Sequence, residues 1–255
     1  MKKERLLVLG KACPIISKKY EQLVCVAGIT DSGEWRRIYP VPWDVFWKGK
    51  STRFKKKTWI EYELESEKPS DRRPESRKII SKSIKELEDA DFADIKNMLD
   101  KNLTSLDYLE SKKQTEISLG VIKPEIMNFI AADNTHYLRL LKKRNQLTLF
   151  GNRAILLDLP KKEFRYRFNC FNLKDCSGHE MLCIDWELGE LYRHCEIYRT
   201  EGKYPDEKTV LSKVKQKMLD EMIKKQELYF IVGTHNRWGT YMILSVVYPK
   251  KLDVF

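Results

Sequence analysis

The chain opens on strand-like patterning. Residues 5–10 (RLLVLG) read as a short, largely apolar strand, and residues 22–30 (QLVCVAGIT) have strand composition. Asp31, Ser32 and Gly33 supply turn geometry, so residues 34–39 (EWRRIY) return as the second arm of a hairpin. Pro40 and Pro42 end that arm, because proline cannot donate to a ladder. The intervening residues 11–21, with Pro14, read as a loop or helical turn. Residues 58–65 (TWIEYELE) set Ile60, Tyr62 and Leu64 against Trp59, Glu61 and Glu63, the period of a strand with one apolar face. A polar loop at 67–76 and a short strand at 77–81 follow.

From residue 83 the pattern changes. Residues 83–89, 92–101 and 105–113 predict short helices, 118–130 a strand interrupted at Pro124, and 135–145 a helix with a basic face. Residues 164–172 place Phe164, Tyr166, Phe168 and Cys170 on one face and Arg165 and Arg167 on the other. Residues 180–185 return beside them. Residues 186–199 continue as a helix, and 206–226 predict a long amphipathic one carrying Val210, Val214, Met218 and Met222. Strands at 228–233 and 241–248 are joined by THNRWGT. This order predicts an α+β protein of mostly antiparallel sheets, with a strand-rich N-terminal unit, a helical middle and a C-terminal hairpin. The corresponding division is residues 1–114, a linker or insertion at 115–160, and a C-terminal α+β unit at 161–255; one composite domain is the alternative.

Charge adds a partner class. The chain has 255 residues, 48 Lys and Arg against 37 Asp and Glu, and a net charge of +11. Such an excess suits a polyanion, although lysine-rich surfaces also arise from solvation alone. No stretch nears the roughly 18 apolar residues of a membrane span, and the N-terminus lacks the long apolar core of a signal peptide. A cytoplasmic protein with no membrane partner is expected. Its cysteines then stay reduced, as buried thiols, metal ligands or redox groups.

The densest basic-aromatic stretch lies within Cys25 to Ser66, with tryptophans at 35, 43, 47 and 59 around a basic run. Arg36, Arg37, Lys48, Lys50, Arg53, Lys55, Lys56 and Lys57 lie among Trp43 and Trp47. Cations release counterions from phosphates and aromatic rings stack on bases, so these residues are candidate DNA or RNA contacts. Arg36 and Arg37 point to opposite faces of one strand, so only one of them can face a partner. The alternative is a local tryptophan core beneath a solvated lysine loop. The tip residues His235, Arg237 and Trp238 are further candidates for phosphate and base contact, against the plainer reading of a polar hairpin.

Two groups offer acid chemistry. Asp71-Arg72-Arg73-Pro74-Glu75-Ser76 is either a salt-bridge knot or a source of a metal-binding carboxylate. His179, Asp185 and Glu187 lie at a strand end, where carboxylates can hold Mg²⁺ or Mn²⁺ for phosphodiester hydrolysis. Asp71, Glu75, Asp185 and Glu187 are the candidate catalytic carboxylates of a nuclease or nucleic-acid-modifying enzyme, with a role in phage defence. Asp185-x-Glu187 lacks the lysine that follows such a pair in restriction-type cores, and Asp185 also suits a helix cap. Cys170, Cys176, His179 and Cys183 can assemble a zinc site, although no C-x₂-C knuckle is present and buried thiols are the alternative. No phosphate-binding glycine loop and no nucleophile elbow occurs.

The segments CVAGITDSGEWRRIYPVPW, DRRPES, HEMLCIDWELGELY and YFIVGTHNRWGTYMILSVVYP resemble a prokaryotic family of uncharacterised proteins of about this size. That resemblance carries over no catalytic residue. A looser likeness, at the level of fold alone, is to the small β-barrel readers of nucleic acid of the PUA, ASCH and EVE group. The primary reading is a nucleic-acid-binding module. The nuclease is the alternative, and a third reading is a subunit of a larger ribonucleoprotein or defence complex.

Overall fold

A computed structural model describes residues 2–13, 15–17, 21–42, 54–135, 139, 160–173, 176–225 and 227–248. The fold is α+β with strands dominant, as the patterning predicts. Trp43, Trp47, Lys48, Lys50 and Arg53, and nearly all of the helix expected at 135–145, lie outside the described residues.

The first sheet contains β1 (Lys3–Lys11), β2 (Ile15–Ser17), β3 (Glu21–Thr30), β4 (Trp35–Pro42), β5 (Thr58–Glu63), β6 (Ser76–Arg77) and β7 (Lys85–Asp89). Its order is β6-β4-β3-β1-β5-β7, with β2 pairing β3. The sheet closes on itself. Beyond β6, Ile79 bridges Leu64, the Glu65 N–H donates to the Lys78 carbonyl (3.0 Å) and the Ile80 N–H to the Glu63 carbonyl (2.9 Å). A small barrel results, filled by Leu6, Val8, Val26, Ile38, Ile60 and Tyr62.

The second sheet has the order β8-β12-β13-β11-β10-β9, formed from β8 (Leu119–Ile122), β9 (Pro124–Asp133), β10 (Lys162–Cys170), β11 (His179–Cys183), β12 (Tyr229–Thr234) and β13 (Tyr241–Val247). Residues 119–133, which fall within the span 115–160 expected as a linker or insertion, supply both edge strands. Lys123 alone separates those edges. In a flat six-stranded sheet they would stand about 24 Å apart, whereas two Cα steps reach about 7.6 Å. The sheet therefore curls round. Across its interior the Phe230 ring of β12 lies 4.9 Å from Tyr166 and 5.2 Å from Phe168 of β10.

Among the described residues four α-helices accompany the sheets: α1 (Phe92–Lys101), α2 (Leu106–Ser111), α3 (Trp186–Thr200) and α4 (Glu207–Lys215). Each begins on a side-chain cap, from Asp91, Ser105, Asp185 and Asp206 in turn. Two expectations are corrected. Residues 85–89, predicted as helix, form the edge strand β7, whose side chains are all exposed; pairing with β5 outweighs the helix preference of KELED, and charges suit an edge. The helix predicted over 206–226 keeps α-geometry only to Lys215. It then widens into a π-turn at Gln216–Asp220, where the Met218 carbonyl accepts from the Tyr166 hydroxyl (2.8 Å).

The runs LLVL (residues 6–9) and YFIV (residues 229–232) are apolar throughout because both faces of their strands are covered. Leu6 and Val8 enter the first barrel, while Leu7 and Leu9 face a layer shared with Ile95 and Leu99 of α1 and with Leu119, Val121, Tyr229, Ile231 and Leu244 of the second sheet. Phe230 and Val232 point the other way, into the second barrel.

Charged groups cross the same junction. Arg37, fully buried, donates from Nη1 to Ser118 Oγ (2.8 Å) and from Nη2 to the Ser118 carbonyl (3.0 Å). Ser118 Oγ in turn donates to Glu75 Oε2 (2.5 Å), and its N–H donates to Glu75 Oε1 (2.8 Å). Gly233 leaves the room this needs: a Cβ there would fall 2.6 Å from Arg37 Nη2. On the other side Lys56 Nζ lies 2.9 Å from both Asp185 Oδ2 and Glu187 Oε2, with Lys56 and Asp185 almost wholly buried. The two carboxylates hold the Lys56 ammonium above its ordinary pKa against the opposing effect of burial.

Removing one member of a buried pair strands the other charge. Lys56→Met is expected to cost about 3–5 kcal/mol in urea unfolding. Lys56→Met/Asp185→Leu should regain most of that, less about 1 kcal/mol for the lost α3 cap. A single variant within about 0.5 kcal/mol of the parent would show that the pair does not hold the junction.

Candidate functional site

The second sheet brings two loops to one end. β11 and β13 run parallel, with Cys183 opposite Ile243, so the loop before β11 and the loop before β13 emerge together. The first loop carries the cysteine–histidine group. The second is the β12–β13 tip.

The tip is built by both halves of the chain. Arg73 forks onto Asp71, through Nε to Oδ1 (3.0 Å) and Nη2 to Oδ2 (2.6 Å), and donates from Nη1 to the Thr234 carbonyl (3.0 Å). Hydrogen bonds to Arg73 hold the Asp71 carboxyl below its ordinary pKa against the opposing effect of burial. Arg72 reaches further, donating to the carbonyls of Asn236 and Arg237. Gln114 Nε2 donates to Thr234 Oγ1 (2.8 Å) and to the His235 carbonyl (2.9 Å). The salt-bridge knot and the polar hairpin, separate in sequence, are therefore one structure.

Within the tip, His235 Nδ1 accepts from the Arg237 N–H (3.1 Å) and the Trp238 N–H (3.4 Å). Its ring stacks on the Trp238 indole with centroids 4.5 Å apart, and the Arg237 guanidinium sits 5.5 Å from that indole. Trp238 stays 68% exposed, the most exposed of the large apolar side chains described. Arg72 and Arg237 are exposed at the tip, Lys112 and Lys113 are exposed beside Gln114 in the chain, and none of the four forms an ion pair among the described residues. Lys112 and Lys113 escaped the sequence reading because only the Gln114 contact brings them here.

In the loop before β11, Cys170, Cys176 and His179 converge as expected. The fourth member is Asp107 of α2, and the ligand atoms of all four lie within 4.8 Å of one another. Cys183 is corrected out of the group. It lies four residues further along β11, about 13 Å by strand rise, buried beside the backbone of Asp185. Burial pushes the Cys170 thiol up to about 11. Nothing in the sequence announces Asp107, which comes from a helix far upstream and is placed by the Ser105 cap.

The other candidates are dispersed. Asp71 is engaged by Arg73 and Glu75 by Ser118. Asp185 Oδ1 accepts from the Glu187 N–H, and its Oδ2 accepts from the Val246 N–H, Lys56 and Ser245, so the carboxylate is a cap and an ion-pair partner at once. The lysine missing after Asp185-x-Glu187 thus arrives from the N-terminal half, but in a buried pair. Among the expected phosphate contacts, Arg37 and Lys56 are buried, Arg36 is paired with Glu4 and Glu34, and Lys57 donates to the Tyr248 carbonyl (2.6 Å). Lys55 remains exposed.

Fold and site together define a two-barrel α+β protein with a braced, cation-ringed tip beside a Cys₂-His-Asp group. Residues 101–255 match the family described as Domain of unknown function (DUF8757), to which the chain belongs, and residues 2–101 match Domain of unknown function (DUF8758). No curated protein and no solved structure matches the chain. Among the described residues no helix is long and apolar enough to cross a membrane.

Burial, with Arg73 and Arg237 nearby, pushes the His235 pKa below 6.5. Neutral His235 is thus favoured by the fold, and its contribution is present above pH 6.5 and lost as pH falls through the lowered value. Ring signals of His235 in a nuclear magnetic resonance titration should show a midpoint below 6.5, shared by the Trp238 indole signal. A midpoint at or above 6.5 would contradict this arrangement.

Proposed function

We propose that the protein binds nucleic acid through the β12–β13 tip, as a reader of unpaired bases. Trp238 offers its indole to a base, with His235 supporting it from behind. Arg72, Arg237, Lys112 and Lys113 receive the flanking phosphates. The observation that carries this reading is the combination at one place: a tryptophan 68% exposed, on a loop braced by side chains from outside the hairpin, among cations without acidic partners. A hydrophobic ring is costly to expose unless something covers it, and the cations favour a polyanion as the cover. Bracing reduces the ordering cost of binding. The net charge of +11 adds long-range attraction of the same sign.

The roles separate experimentally. In anisotropy titrations with labelled single- and double-stranded DNA and RNA across a salt series, Trp238→Ala should weaken single-strand binding by about 1–3 kcal/mol and leave the salt slope nearly unchanged. Arg72→Gln/Arg237→Gln should lower that slope by about two. Unchanged affinity and slope in both variants, or no binding by the parent at low salt, would refute the proposal.

A further inference from the structure

The geometry points to a structural zinc site formed by Cys170 Sγ, Cys176 Sγ, His179 Nε2 and Asp107 Oδ2. Cys176 Sγ lies 3.3 Å and Cys170 Sγ 3.6 Å from His179 Nε2, and His179 Nε2 lies 3.5 Å from Asp107 Oδ2. Around tetrahedral zinc, with bonds of about 2.0–2.3 Å, neighbouring ligand atoms sit about 3.3–3.8 Å apart. Three separations across the group therefore match the edges of one coordination tetrahedron. Thiols, imidazole and a carboxylate are the donors that zinc accepts, and two sulfurs disfavour magnesium or calcium.

A second observation concerns the sulfurs themselves. The Leu106 N–H points at Cys170 Sγ (3.5 Å) and the Cys170 N–H at Cys176 Sγ (3.3 Å). Backbone donors directed at sulfur favour the thiolate, the form that binds metal, and such outer contacts orient ligands in metal sites. With four protein ligands the site is closed, which suits structure rather than catalysis. It ties α2 to the β10–β11 loop, two segments far apart in the chain. It thereby fixes exposed Tyr108 and Phe171 on the end of the sheet that also carries Trp238. The inference stands apart from nucleic-acid binding, since it rests only on the four ligands and their donors.

The test is metal analysis of the full chain, purified under reducing conditions and equilibrated with Zn²⁺ before exhaustive dialysis. About one zinc per chain should remain. Cys176→Ser and His179→Ala should each lower retained zinc at least about tenfold, whereas Cys183→Ala should retain it. Because a ligand variant can fail to fold, Asp107→Ala provides a milder one. It should stay folded with zinc affinity lowered by about tenfold or more, and its cobalt(II)-substituted form should keep thiolate-to-cobalt charge-transfer absorption. Absence of zinc from the folded parent after equilibration, a Cys170–Cys176 disulfide under these reducing conditions, or equal zinc loss in Cys183→Ala and Cys176→Ser would overturn the assignment.

Discussion

Burying a guanidinium is costly unless its donors are satisfied, and both Nη groups of Arg37 find their hydrogen-bond partner in the other half of the molecule. Its Nη atoms meet Ser118, and the Ser118 hydroxyl passes the interaction to Glu75. Desolvation still lowers the Arg37 pKa, so the site tolerates the charge under constraint. Separating the two barrels would leave the Arg37 Nη donors without Ser118 and would also expose the apolar layer between β1 and β12. Lys56 and Asp185 repeat the arrangement at a second point. The two family matches meet at residue 101, yet the packing and the polar contacts both run across that boundary.

The tip follows from this constraint. Glu75, which receives Ser118, belongs to the same short loop as Arg72 and Arg73. Positioning that loop therefore positions the arginines that grip the β12–β13 turn. A hairpin tip is ordinarily a mobile part of a sheet. Here its carbonyls are held from outside, which leaves the Trp238 ring exposed on a fixed base. The Cys₂-His-Asp group orders the neighbouring loop, so the end of the second barrel is a surface assembled from four separate chain segments.

Much of the architecture was legible in the residues. Alternation in TWIEYE and FRYRFNC identified strands, and the apolar character of RLLVLG identified another, whose cover on both faces comes from partners distant in the chain. Local spacing also brought Cys170, Cys176 and His179 together correctly. Long-range pairing was less legible. Leu106 and Cys170 touch across 64 positions, so Asp107 had no local signature. Lys56 is a like case: it looks like a surface cation until Asp185, 129 positions away, is placed beside it. KELED resembled a helix because its strand character comes from β5, not from itself.

The central claim is that buried charged side chains bonded across the junction make the two barrels a single cooperative body. Urea unfolding followed by pulsed hydrogen exchange and mass spectrometry reads β1 and β12 peptides in the same sample. The account predicts one transition with coincident midpoints for both. Two separated midpoints, with one barrel protected while the other exchanges, would contradict it.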